Sequence, residues 1–206
     1  KIPIDKRTSP GTGTAFKIGF DTWVTARHVV EGCLDVLVLQ EKVTNIIIPF
    51  SSDLALLKTK PFESRTDQKF NSDIKKNTRP GQEGFSIGFP TGKPGQAYLI
   101  FAGYVKMIQT GAYNLNEPVR MWVERQRQPK RLDMMGGISG APIFDSDGNI
   151  LGVHVANTVR RGRAFSVSEE SLSDLINRSE SVESFEGISF KNSFNVKNYG
   201  TIANTL

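Results

Sequence analysis

The sequence predicts an all-β protein with a single late helix. Three observations lead there. Glycine (19) and proline (10) are spread along all 206 residues. Short apolar or β-branched runs recur between turn residues from end to end. Only Glu169–Asn177 has helical spacing, with Leu172, Leu175 and Ile176 on one face. Frequent chain breakers favour many short elements and leave little room for a bundle of long helices.

The elements follow in order. Thr14–Ile18 reads as extended, Gly19–Asp21 as a turn and Trp23–Thr25 as the next strand. Leu34–Leu39 and Val43–Ile48 are apolar and β-branched, and each is bounded by polar or turn residues, as strands are. Asp53–Leu57 is another short apolar run. Residues 59–82 are polar and carry Pro61 and Pro80, so they read as a long surface connection between two strand-rich halves. Strands resume at Gly84–Phe89, Gln96–Met107 and Val119–Glu124. After the glycine-rich Gly136–Gly140 come Ala141–Phe144, a turn at Asp147–Asn149, and Ile150–Ala156. Asp147-Gly148 between two apolar runs marks a hairpin. Arg163–Val167 is the last strand, and the Ser-, Asn- and Glu-rich residues 179–206 read as a tail or linker.

Composition narrows the function. With 23% charged and 38% hydrophobic residues, the chain is neither disordered nor built into a membrane. It has no run of about 18 apolar residues, as a membrane-spanning helix needs. The net charge of +5 is open to two readings, attraction of acidic partners or a modest excess that only keeps the protein in solution. A lone cysteine, Cys33, excludes an internal disulfide and leaves the compartment open. Two histidines, His28 and His154, are too few for a histidine-cluster metal site. The chain begins on Lys1, as expected of a processed product or an excerpt.

Three segments place a reactive residue at the edge of an apolar run: Trp23-Val-Thr-Ala-Arg-His28-Val-Val, Ser52-Asp53-Leu-Ala-Leu-Leu57 and Gly136-Gly-Ile-Ser139-Gly-Ala-Pro142. A serine hydroxyl is a weak nucleophile unless a base takes its proton. Histidine is the usual base, and a carboxylate on its other nitrogen fixes the tautomer. Among the glycines, the backbone N–H groups of Gly137 and Ser139 are placed to share one oxygen. Taken singly, His28 reads as a buried structural histidine, Ser139 as a turn residue and Asp53 as the start of a strand. Together they read as chemistry.

In this order, TARHVV, SDLALL and GGISGAPIF resemble the chymotrypsin-like serine endopeptidases, above all the bacterial glutamyl endopeptidases and HtrA-type proteases. The resemblance runs over about residues 10–178, through Gly88-Phe-Pro-Thr-Gly-Lys-Pro94, the hairpin Phe144–Leu151, Gly152-Val-His154 and Phe165. It implies two six-stranded antiparallel β-barrels and a C-terminal helix. The barrels would span about 10–70 and 80–168, and the helix about 169–177, within a protease domain of 1–178. It also implies that His28 is the general base, Asp53 its orienting carboxylate, Ser139 the nucleophile, and Gly137 and Ser139 the oxyanion hole. No metal and no cofactor is implied. The partner it implies is a protein or peptide substrate, with no nucleic acid expected, and the location it implies is secreted or periplasmic. The basic stretches Arg125–Arg131 and Arg160–Arg163 read as solvated turns.

The resemblance also bears on specificity. His154 matches the histidine with which glutamyl endopeptidases and some viral relatives bind acidic or amide side chains, which points to Glu or Gln before the scissile bond. Met134 and Met135 stand where the glutamyl enzymes carry hydroxyls. Asp133, six residues before Ser139, occupies the position of the selector for basic residues in trypsin-like enzymes. If it pairs with His154, an apolar pocket remains. Val155, Ala156 and Asn157 complete the expected specificity set. Val155 lacks the hydroxyl that many relatives use to support the aspartate, and Ile138 replaces their usual Asn or Asp. The alternatives are an inactive protease-like module that binds a peptide or a metal, and a viral polyprotein-processing protease.

Overall fold

The computed structural model describes residues 11–60, 77–111, 113–130, 135–158, 162–177 and 199–205. It is all-β. In the N-terminal half, β1 (Phe16–Lys17), β2 (Thr22–Thr25), β5 (Asn45–Ile47) and β6 (Ala55–Lys58) form a sheet in the order β1-β2-β6-β5. Beside it stands the hairpin of β3 (Leu37–Val38) and β4 (Glu41–Lys42). In the C-terminal half, six antiparallel strands close a barrel in the order β10-β11-β12-β9-β8-β7. They are β7 (Glu83–Gly88), β8 (Gly95–Gln109), β9 (Leu115–Gln128), β10 (Pro142–Phe144), β11 (Ile150–Asn157) and β12 (Arg163–Val167). Closure into a barrel is thus established for the C-terminal half. Among the described residues the N-terminal strands form an open sheet and a hairpin.

The packing explains why the halves stay together. Phe16, Ile18, Val24 and Leu56 from the first half join Phe85, Ile87, Phe144, Val153 and Val167 from the second in one buried cluster. Burial of such side chains contributes roughly 1.5–3 kcal/mol each. The helix α2 (Glu169–Asn177) adds Leu172 and Leu175 to that cluster, using the face its spacing predicted. Within the segment read as tail or linker, Tyr199–Thr205 forms a helix, α3, whose Ile202 and Ala203 are buried in the same cluster. Inside the barrel, Trp122 is fully buried and donates its indole N–H to Ser166 Oγ at 2.9 Å. The fully buried Arg120 pairs with Glu169 and donates to the Leu151 carbonyl, which ties the start of α2 to the barrel.

Two expectations change. The run Leu34–Leu39 is not a core strand: only Leu37–Val38 pairs, and Leu34, Leu37 and Leu39 are exposed. Leu39 and Gln40 take left-handed backbone angles (φ 50° and 70°), the two-residue turn that closes a hairpin early. The strands expected at 96–107 and 119–124 are longer, and they pair continuously out to Gln109 and Leu115. Their outer halves leave the barrel as a projecting hairpin. At its tip Leu115 and Glu117 alternate as buried residues with the exposed Asn116 and Pro118. That alternation puts one face of the tip against the N-terminal half. Among the described residues no helix is long and apolar enough to cross a membrane.

Candidate active site

His28 and Asp53 come from the N-terminal half. Strand β2 ends at Thr25, and a single helical turn, α1 (Arg27–Val30), follows at once, so His28 sits within this turn and not on the strand expected from the sequence. The turn aims the ring at Asp53, which lies just before β6 and is 1% exposed. Asp53 Oδ2 lies 2.7 Å from His28 Nδ1, and Oδ1 accepts the His28 backbone N–H at 3.0 Å. The Asp53 carbonyl accepts the Arg27 N–H at 3.2 Å. A carboxylate accepts only, so Nδ1 carries the proton and Nε2 is left with its lone pair. The His28 side chain keeps 31% of its surface exposed, so that lone pair is reachable.

The projecting hairpin supplies further partners for Asp53, from residues that sequence reading passed over. Tyr113 donates its hydroxyl to Asp53 Oδ1 at 2.9 Å, and the Asp53 N–H donates to Glu117 Oε1 at 2.9 Å. The Arg27 guanidinium lies 3.8 Å from the centre of the Tyr113 ring and is itself held by two bonds to Glu31, at 2.5 and 2.9 Å. Burial, then the Asp53 charge and hydrogen bond, push the Tyr113 hydroxyl well above the usual tyrosine range, so it remains a donor.

Burial also raises Glu117 to about 7, with the Asp53 charge adding to the effect and the Asp53 amide opposing it. A carboxyl that holds its proton more tightly when folded weakens the fold as pH rises. The loss begins near the unfolded value of 4.5 and is complete above about 7. Glu117→Gln keeps an acceptor for the Asp53 N–H and removes this titration. The variant is expected to be more stable than the parent at pH 8, by about 3 kcal/mol, and indistinguishable near pH 4. Urea unfolding at the two pH values checks both sign and window.

Ser139 comes from the C-terminal half, on a loop clamped from several sides. Thr14 is the clamp. Its N–H donates to the Ser139 carbonyl at 2.9 Å, and its hydroxyl donates to the Gly137 carbonyl at 2.7 Å and accepts from the Phe89 N–H at 2.9 Å. The Thr14 carbonyl accepts the Thr25 hydroxyl at 2.7 Å. Gly140 packs so tightly here that a Cβ would lie 2.0 Å from the Thr14 carbonyl oxygen and 3.1 Å from the Ala26 nitrogen. Ser139 is thereby docked against the chain that leads into His28. Gly137 and Gly140 have φ of +95° and +91°, which glycine alone adopts readily. The loop spends its other donors internally: Ile138 N–H on Met135, Gly140 N–H on His154 and Ala141 N–H on Ile138. Among the described residues the N–H groups of Gly137 and Ser139 donate to no protein acceptor, and the Ser139 hydroxyl makes no hydrogen bond.

On β11, His154 has no exposed surface. Its Nδ1 lies 2.9 Å from Ser86 Oγ and its Nε2 3.0 Å from Asn157 Oδ1. The amide oxygen can only accept, so Nε2 carries the proton and Nδ1 accepts from the serine. Burial pulls His154 down to about 4, so the ring is neutral at ordinary pH. Val155 is buried in the shared core, and Ala156 and Asn157 are half-buried beyond a bulge in the pairing with β12. Asp133 and Met134 lie outside the described residues.

Comparisons with known proteins identify the family and the fold. A family described as "Trypsin-like peptidase domain" matches residues 11–153. No curated protein matches the chain in sequence. Solved structures share its fold. The Rv3671c protease of M. tuberculosis in its active form superposes with a TM-score of 0.64 at 18% identity, over 86% of this chain and 77% of that one. Deg5 gives 0.58 at 21%, over 80% and 81%. The HtrA-type protease AlgW, solved with a decapeptide, gives 0.60 at 18%, over 80% of this chain and 50% of its own.

Proposed function

This chain belongs to the family of trypsin-like peptidase domains and is a serine endopeptidase, and on that basis we propose that it works through an acyl-enzyme on Ser139 and prefers Glu or Gln before the scissile bond. His28 Nε2 takes the proton from Ser139 Oγ as that oxygen attacks the peptide carbonyl. The N–H groups of Gly137 and Ser139 bind the oxyanion that forms. His28 passes the proton to the leaving amine, the C–N bond breaks, and the acyl group stays on Ser139. A water, deprotonated by His28, then attacks the ester. Collapse of the second oxyanion frees the new carboxylic acid and returns the proton to Ser139. Asp53 stays ionised throughout and holds the imidazole in the tautomer that starts the cycle.

The observation that carries this reading is the pair of bonds from Asp53 to His28, on the ring nitrogen and on the backbone amide, beside a loop with two uncommitted N–H donors. The preference for Glu or Gln rests on His154. Its Nε2–H is held by an amide oxygen, Asn157 Oδ1, and a substrate carboxamide or carboxylate offers the same kind of acceptor in its place. A neutral imidazole favours the amide, so Gln is preferred to Glu at neutral pH. Val155, Ala156 and Asn157 would then run beside the substrate, with Asp133 and Met134 at the far wall.

The test joins labelling with profiling. A fluorophosphonate probe is expected to modify the chain, with the adduct mapped by mass spectrometry to Ser139. A peptide-library digest is expected to show cuts after Gln and Glu. Cuts after Lys or Arg would sink the preference and point to Asp133 as the selector. A folded chain that takes up no probe would sink the acyl-enzyme mechanism and favour a binding module.

A further inference from the structure

We infer that Tyr113, at the tip of the β8–β9 hairpin, is a positioning residue for this site and acts through Asp53. The inference rests on the triad proposed above and adds a residue that neither the motifs nor the family match singles out. Asp53 is 1% exposed, so its oxygens depend on protein donors for their hydrogen bonds and their orientation. Oδ2 is spent on His28 Nδ1. Oδ1 accepts the His28 amide at 3.0 Å and the Tyr113 hydroxyl at 2.9 Å. Val155, which the resemblance would set beside this carboxylate, has no hydroxyl to give. Here the hydroxyl comes from another element, 60 residues along the chain from Asp53.

The surroundings hold that hydroxyl in place. The Tyr113 ring is backed by Arg27 at 3.8 Å, and two bonds to Glu31 fix Arg27. Arg27 precedes His28 directly, so the helical turn that carries the base also packs the tyrosine. Four residues past Tyr113, Glu117 binds the Asp53 backbone N–H. The tip therefore grips Asp53 at both main chain and side chain, and the two halves of the molecule share responsibility for one carboxylate. Without the hydroxyl, Oδ1 keeps one donor, the His28 backbone N–H, and the carboxylate plane loses a restraint at the oxygen that does not face the His28 ring.

Tyr113→Phe tests this, because it keeps the ring on Arg27 and removes only the donor. Steady-state kinetics on the best library peptide are expected to show kcat lowered about tenfold with KM unchanged, the loss of one hydrogen bond to a charged group. The thermal midpoint is expected to stay within about 2 °C of the parent, since a single surface-reachable hydroxyl contributes little to the fold. A proton NMR measurement of the His28 Nδ1–H resonance supplies a readout that a structural role would not move. Its chemical shift is expected to change in Tyr113→Phe, because Asp53 would direct more of its charge at that proton. Wild-type kcat in the variant, or an unmoved resonance, overturns the inference. So does a loss of activity matched by loss of folded protein with the resonance of the folded fraction unchanged. The resonance needs only His28 and Asp53, so it decides the Tyr113 question even if the parent takes up no fluorophosphonate and the hydrolytic reading fails.

Discussion

Asp53→Asn is expected to lower kcat by about 10⁴-fold with little change in KM. The size follows from the donors already gathered on the carboxylate. Oδ1 accepts the His28 backbone N–H and the Tyr113 hydroxyl, and Oδ2 meets His28 Nδ1. An asparagine has one acceptor and one donor group. The backbone N–H cannot turn round, so the amide oxygen must take the Oδ1 place and the NH2 must face His28. Nδ1 can then only accept, and the imidazole proton moves to Nε2. In that tautomer the ring cannot deprotonate Ser139. Residual activity that climbs as hydroxide rises is the expected companion, since solvent base replaces His28. Kinetics from pH 6 to 10 check both points, and a variant within tenfold of the parent at pH 7 would refute the assignment of Asp53.

Gly140→Ala is expected to abolish activity and to lower stability as well. The new Cβ would lie 2.0 Å from the Thr14 carbonyl oxygen and 2.4 Å from Thr25 Oγ1. The first of these is backbone and cannot swing aside. The backbone φ of +91° adds about 1–2 kcal/mol for any residue with a Cβ. Relief requires the loop to lift off Thr14, which breaks its bonds to Ser139 and Gly137 and moves the Ser139 side chain together with both of the N–H groups proposed to bind the oxyanion. A displacement of about 1 Å at such a centre costs on the order of 10²-fold, before the lost oxyanion contact is counted. Gly136→Ala is the control, because a Cβ there meets nothing within 4 Å. Fluorophosphonate uptake and thermal melting of both variants check the contrast. If Gly140→Ala takes up probe at the parent's rate, the docking of this loop on Thr14 is not what places Ser139.

What could be read in advance depended on how local each feature is. His28, Asp53 and Ser139 each sit at the edge of an apolar run, and their spacing survives in the linear chain. The strands of the C-terminal half were legible because they alternate with turns, whereas their closure into a barrel was implied only by the family resemblance. Tyr113 and Glu117 were not. They meet Asp53 across 60 and 64 residues only because the hairpin folds back onto the N-terminal half. The hairpin itself was underestimated, since its outer strands are half solvated and Pro118, a residue strands usually avoid, occupies an exposed position in one of them. Leu34–Leu39 failed in the opposite direction. Its leucines have the composition of a core strand, yet a left-handed turn at Leu39 and Gln40 leaves them at the surface. His154 kept its place on β11 but not its expected freedom, because Ser86 and Asn157 occupy both ring nitrogens.

The hairpin also has an outer side. A hollow of about 440 Å³ opens there, bounded by Tyr104, Val105, Lys106, Asn116 and Pro118. Asn116 and Pro118 flank Glu117 in the strand, and neighbours in a strand face opposite ways. One layer of backbone therefore separates this hollow from Glu117, whose side chain holds the Asp53 backbone N–H, so the outer surface of the hairpin and the inside of the site share a single strand.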